Sequence, residues 1–163
     1  MGLAETILPS YYHQYRDTFS SQVLLEYDFR PHNVTLGDLR LTGKIDKIEL
    51  LGSSQVNVID YKTSNPDTKA KALGPQGEYR RQLVFYKLLT ELADQFPYTM
   101  VSGEIDFLQI SAKTGKHLKK RLIVTDHGTA ELKKTIEQVW QEIKALRFLE
   151  KDVGCGECQY CVV

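Results

Sequence analysis

Charge of one sign is what this sequence has none of to spare, with 21 Lys and Arg set against 21 Asp and Glu in 163 residues. A balanced chain has no overall field for gathering a polyanion, so any nucleic-acid contact must come from local clusters. Cysteine is nearly as scarce. The three present, Cys155, Cys158 and Cys161, all stand at the C-terminal end, which excludes a disulfide framework. No run approaches the roughly 20 apolar residues of a membrane helix. The start Met1-Gly2-Leu3-Ala4-Glu5 has neither the charged nor the apolar region of a secretory leader. A soluble cytoplasmic protein with no membrane partner is therefore expected. Internal repeats and low-complexity tracts are missing too, which removes solenoids and linkers. What remains suits one globular domain over residues 1–150 with a cysteine-bearing tail at 151–163, the length being ample for a buried core.

The apolar periodicity supplies an order of elements. Val23 to Phe29 alternates as a strand and is ended by Pro31-His32-Asn33. Strands are expected at 39–50 and 55–62, followed by a long loop at 63–77 containing Pro66, Gly74, Pro75 and Gly77. Phe85, Leu88, Leu89 and Leu92 have helical spacing within 78–93. Further strands are expected at 104–110 and 121–124, then a helix at 128–149 with an apolar stripe from Leu132 through Ile136, Val139, Trp140 and Ile143 to Leu146. The tyrosine-rich segment 11–16 reads as a short helix, while His117 and His127 fall in turns. Three antiparallel strands, a crossover helix and a further pair of strands make an α/β fold, a mixed sheet flanked by helices.

The most informative stretch runs from Asp46 to Lys62. A loop centred on Ser53 sets position 46 opposite position 60, where Cβ atoms lie roughly 5 Å apart on one face. Asp60 and Lys62, two apart, share that face. Two carboxylates at such a separation suit one hard divalent cation, which takes oxygen ligands and keeps several waters. The same residues also suit an ordinary solvated face on which Lys62 pairs with either aspartate. Gln82 and Tyr86 follow one helical turn apart. Of the basic clusters, Lys69 with Lys71, Arg80-Arg81 and Lys119-Lys120-Arg121, the pair Arg80-Arg81 stands nearest Gln82.

Gly43-Lys44-Ile45-Asp46, then Asp60-Tyr61-Lys62, then Gln82-Leu83-Val84-Phe85-Tyr86, in this order and spacing, resemble the RecB-like branch of the PD-(D/E)xK nucleases. The resemblance is strongest to the nuclease domains at the C-terminus of UvrD- and RecB-type helicases. It implies a restriction-endonuclease-like core, and a nuclease that cleaves DNA with Mg²⁺ or Mn²⁺ in repair or recombination. Asp46, Asp60 and Lys62 would be catalytic. The metal would be held by Asp46, Asp60 and the Tyr61 main-chain carbonyl, with Glu26 and His13 as lesser candidates. Gln82, Tyr86, Arg80 and Arg81 would face the DNA.

The sequence also departs from that family. The histidine usually contributed upstream has no good counterpart, His32 lying in a loop and His13 in the tyrosine-rich stretch. Cys155, Cys158 and Cys161 have the spacing of zinc or iron–sulfur ligands, but a closed site wants four. By the resemblance, a [4Fe-4S] cluster would take its fourth cysteine from upstream. Both absences fall on one side, and the expectation is a fragment of a longer helicase-nuclease. The alternative to an enzyme is a non-catalytic DNA-binding or docking module that keeps the fold beside a helicase.

Overall fold

A computed structural model describes residues 3–149. Its order of elements is α1 (Leu3–Tyr15), β1 (Val23–Asp28), β2 (Thr35–Leu36), β3 (Leu39–Arg40), β4 (Lys44–Leu51), β5 (Gln55–Lys62), α2 (Glu78–Leu92), β6 (Thr99–Ile110), β7 (His117–Leu122) and α3 (Asp126–Lys144), with short 3-10 turns between. Five strands form one sheet in the order β1-β4-β5-β6-β7, and β2 pairs with β3 apart from it. Neighbours are antiparallel except β5 and β6, which run parallel because α2 carries the chain back between them. The α/β fold with a mixed sheet is thus the one expected. Among the described residues no helix is long and apolar enough to cross a membrane.

The β4–β5 hairpin closes through Gly52-Ser53-Ser54, with Leu51 opposite Gln55 and Lys47 opposite Ile59. Gly52 has φ +80°, the left-handed conformation such a short loop needs and a side chain resists. The register is that of a loop centred on Ser53. β5 is the central strand, buried on both faces from Val56 to Asp60, the polar Asn57 and Asp60 included.

The two faces of the sheet differ in chemistry. On one, Ile48, Val58, Ile105 and Phe107 meet Leu83, Leu88 and Leu89 of α2 in the apolar core. Gly103 lies beneath Leu83, where a Cβ would come within 2.8 Å of the leucine. α3 packs outside α2, with Gly128 against Val84. The other face carries Asn57, Ser102, Glu104 and Asp106, all buried. There α1 is held largely through one residue. His117 contacts Ser10 Oγ through Nε2 at 2.9 Å, accepts at its carbonyl from Gln14 and Tyr15 at 2.9 and 2.7 Å, and donates its N–H to Gln14 at 3.0 Å.

Several expected boundaries move. The first helix is a full α1 rather than a remnant, β6 begins at Thr99 rather than 104, and His117 opens β7 as a buried residue rather than lying in a turn. The stretch 39–50 divides into the short β3 and the long β4. The stripe on α3 is buried only in its first half. Leu132 and Ile136 pack on the core, whereas Val139, Ile143 and Leu146 are exposed.

Candidate active site

Asp60 is the last residue of the buried part of β5, and it is 3% exposed. A carboxylate so placed is costly unless it is paired and hydrogen-bonded. Here it is both. Tyr86 Oη donates to Asp60 Oδ1 at 2.8 Å and Gln82 Nε2 donates to the same oxygen at 2.7 Å. The Lys62 ammonium lies 2.7 Å from Oδ2 and donates to Gln82 Oε1 at 2.8 Å. Gln82 Nε2 also reaches the Tyr86 hydroxyl at 2.7 Å. These contacts fix the glutamine amide, because its oxygen must face the ammonium and its nitrogen the carboxylate.

α2 supplies two of these groups, with Tyr79 beside Lys62 as a neighbour. Tyr79, Gln82 and Tyr86 recur at helical spacing on the face turned to the sheet. Gly77 caps the helix, and a Cβ there would lie 2.0 Å from the Ala72 carbonyl oxygen. Only a glycine allows the preceding loop to lie that close, and the Tyr79 N–H bonds the same carbonyl at 3.1 Å.

Asp46 stands beside this cluster on β4. Backbone pairing with β5 stops at Lys47 and Ile59, and beyond it Asp46 Oδ2 accepts the Tyr61 N–H at 2.9 Å. The Asp46 carboxyl is held above the usual carboxylate range. Burial is the main cause, and the nearby charges of Asp60 and Glu26 add to it against the Tyr61 N–H and Lys62. Across from Asp46, Glu26 interrupts β1 with φ 52°, a strained conformation for a side-chain-bearing residue. Its exposed carboxylate pairs with Lys44.

The donor set fits a hard dication. Asp46 is near enough to feel the charge of Asp60, Tyr61 follows Asp60 and bonds Asp46 through its N–H, and Asp60 Oδ2 is shielded from water with no hydrogen-bond donor in line with it, although the ammonium opposes it as a charge. Among the described residues no group of three His, Cys, Asp or Glu side chains forms a metal cage, so any ion here would keep much of its hydration. That is the habit of Mg²⁺.

Other expected site residues lie elsewhere. His13 is exposed on α1, over the opposite face. The Tyr11 hydroxyl on that helix donates to Asp106, which pairs in register with Tyr61 and so shares its face rather than that of Asp60. Tyr86, 6% exposed, presents no surface to DNA and serves Asp60 instead. Arg80 and Arg81 line a groove of about 400 Å³ between α2 and α3 with His127, Glu131 and Thr135. Lys87 is buried and paired with Glu91 at 3.0 Å and Asp126 at 3.2 Å. Lys119 and Arg121 are not a basic patch either. They pair with Asp106 at 2.9 Å and Glu104 at 3.2 Å on the far face. Cys155, Cys158 and Cys161 lie outside the described residues.

Sequence reasoning missed Tyr79. Its ring centroid is 4.7 Å from the Lys62 ammonium, and the signal available was its spacing of three and seven from Gln82 and Tyr86.

The profile of the PD-(D/E)XK nuclease superfamily matches residues 2–163. Among curated proteins none matches. Of solved structures, SSO0001 is similar at 16% identity with a TM-score of 0.46, over 82% of this chain. The chain spans 54% of the length of that protein.

Proposed function

The chain belongs to the PD-(D/E)XK nuclease superfamily, and on that premise we propose that it hydrolyses DNA phosphodiester bonds at Asp46, Asp60 and Lys62 with Mg²⁺ or Mn²⁺ as cofactor. The observation that carries this reading is the closed set of contacts among Asp60, Lys62, Gln82 and Tyr86, with Asp46 alongside. It orients one carboxylate and one ammonium, and Asp46, held by the Tyr61 N–H, is near enough to feel the charge of Asp60.

Asp46, Asp60 and the Tyr61 carbonyl would hold the ion, and Glu26 is close enough to Asp46 to raise its pKa. Once bound, a divalent ion supplies a water of lowered pKa and neutralises charge on the phosphate. The protein's own groups do the positioning. Tyr86, its hydroxyl pKa pushed up by burial and by Asp60, stays protonated and keeps donating to that carboxylate. Gln82 couples Asp60 to Lys62 through one amide. Lys62, a compact charge with rotatable donors, turns from Asp60 toward the attacked phosphate or the incoming water. Water adds at phosphorus and one P–O bond to the sugar breaks. Arg81, exposed beside Gln82, is a candidate contact for the strand leaving the site.

The order of the three motifs also supports attachment to a UvrD- or RecB-type helicase in a cytoplasmic repair or recombination complex. A neutral domain suits such a tether, because linkage supplies the local concentration that its own charge does not.

The test is cleavage of single- and double-stranded DNA with Mg²⁺ or Mn²⁺ by wild type, Asp60→Ala and Lys62→Ala. Losses of about 10²-fold or more are expected in both variants. Equal residual cleavage in all three would mark a contaminant and leave a DNA-binding or docking module as the reading.

A further inference from the structure

We propose that Tyr79 is a positioning residue for Lys62, its ring serving as the seat that keeps the ammonium in place when Asp60 is engaged elsewhere. This rests on reading the Asp46, Asp60 and Lys62 cluster as a phosphodiester-cleaving site.

Lys62 has three polar or aromatic partners, namely Asp60 at 2.7 Å, Gln82 at 2.8 Å and the ring of Tyr79 with its centroid 4.7 Å from Nζ. Only the first is a charge. Any cation bound by Asp60 competes directly with Lys62 for that carboxylate, and a four-carbon stem then has much freedom to lose the position. A ring face attracts an ammonium by its quadrupole and has no oxygen to offer a hard metal ion, so the competition does not reach it.

The ring is itself held on several sides. Tyr79 is 7% exposed, with its centroid 6.1 Å from that of Phe107. Its hydroxyl is 3.1 Å from Ser64 Oγ, two residues beyond Lys62, and its N–H bonds the Ala72 carbonyl at 3.1 Å. Tyr79 therefore ties α2 to the lysine's strand through the cation and to the loop just after that strand through its hydroxyl. A second ammonium, that of Lys69, lies 5.9 Å from the same centroid. It comes from the loop between the two elements.

A merely structural tyrosine would respond to substitution in proportion to lost packing, whatever occupies position 62. A seat for the lysine responds to loss of the aromatic face and only while the lysine is present. The experiment uses the full chain as wild type, Tyr79→Phe, Tyr79→Leu and Tyr79→Met, each also combined with Lys62→Ala, with two readouts. In DNA cleavage with Mn²⁺, Tyr79→Phe is expected to keep kcat within about twofold. Tyr79→Leu is expected to lower kcat about tenfold at unchanged KM, and to add nothing to the loss caused by Lys62→Ala. In the second readout, lysines carry ¹³C-methyl groups from reductive methylation, and the Lys62 resonance is identified by its loss in Lys62→Arg. That resonance should be ring-shifted in wild type and Tyr79→Phe, and move to the position of solvated lysines in Tyr79→Leu. If Tyr79→Leu does not fold, Tyr79→Met is the aliphatic arm.

An unshifted Lys62 resonance in wild type overturns the seat. So does a loss of kcat in Tyr79→Leu that is equally large with Lys62→Ala in place. A ring-shifted resonance in a chain that cleaves nothing with either metal has a different meaning. The seat is then present, and it is the nuclease reading, with the catalytic role built on it, that fails.

Discussion

At the scale of single residues, the site is defined by what burial does to two carboxylates. Asp60 is the more buried, and its charge is met by an ammonium, an amide and a phenol. Asp46 is less well served, and partial burial together with two acidic neighbours raises its pKa against the one backbone N–H it accepts. A carboxyl whose folded pKa exceeds its unfolded value binds its proton more tightly in the native state. Stability therefore falls as pH climbs from the ordinary value of 3.8 through the raised one. Asp46→Asn keeps an acceptor for the Tyr61 N–H without the charge. It is expected to match wild type in denaturant unfolding below that window and to exceed it above. Equal stability at every pH would mean that Asp46 is not strained by its surroundings.

Much of this was legible at the level of residue types. Asp46, Asp60 and Lys62 fall together because a strand repeats every two residues and a tight loop leaves one register, and both facts can be read from Gly52-Ser53-Ser54 and the flanking valines and isoleucines. The far-face charges were not legible. Lys119 and Arg121 look like a basic patch until Glu104 and Asp106, on the neighbouring strand, are known to lie opposite them. Tyr86 looked like a contact for DNA because its spacing from Gln82 gives the face but not the depth.

At the scale of elements, α2 is the lever that sets the site, and its start is fixed by a close backbone approach. Gly77→Ala would push a Cβ into the Ala72 carbonyl, which the loop cannot yield without moving Tyr79. An expected cost is about 1–3 kcal/mol in denaturant unfolding, with lower kcat in DNA cleavage. Unchanged values for both would show that the loop before α2 adapts freely. β5 and α2 were expected at nearly their observed positions because each has its own period. α1 and the first half of β6 were not. α1 owes its extent to His117, 107 residues from Ser10. The Thr99 to Gly103 segment carries no alternation and takes its register from parallel pairing with β5.

For the whole molecule, balanced charge limits what binding can rest on. With Lys87, Lys119 and Arg121 consumed by internal pairs, Arg80 and Arg81 remain a pair of adjacent cations on α2. DNA affinity is expected to be weak, with log K falling against log salt at a slope of about −1 to −2, and Arg81→Ala is expected to flatten it by about one. A steep slope, unaffected by that substitution, would place the DNA on another surface.

On the proposed reading, Asp46 and Asp60 grip one hard cation together. Calorimetric titration of Mn²⁺ into wild type, Asp46→Asn and Asp60→Asn tests it without reference to substrate. One site is expected in wild type, weakened at least tenfold in each variant and weaker in wild type as pH falls through the raised pKa of Asp46. Mn²⁺ binding of equal strength in all three proteins, or none in wild type, would contradict it.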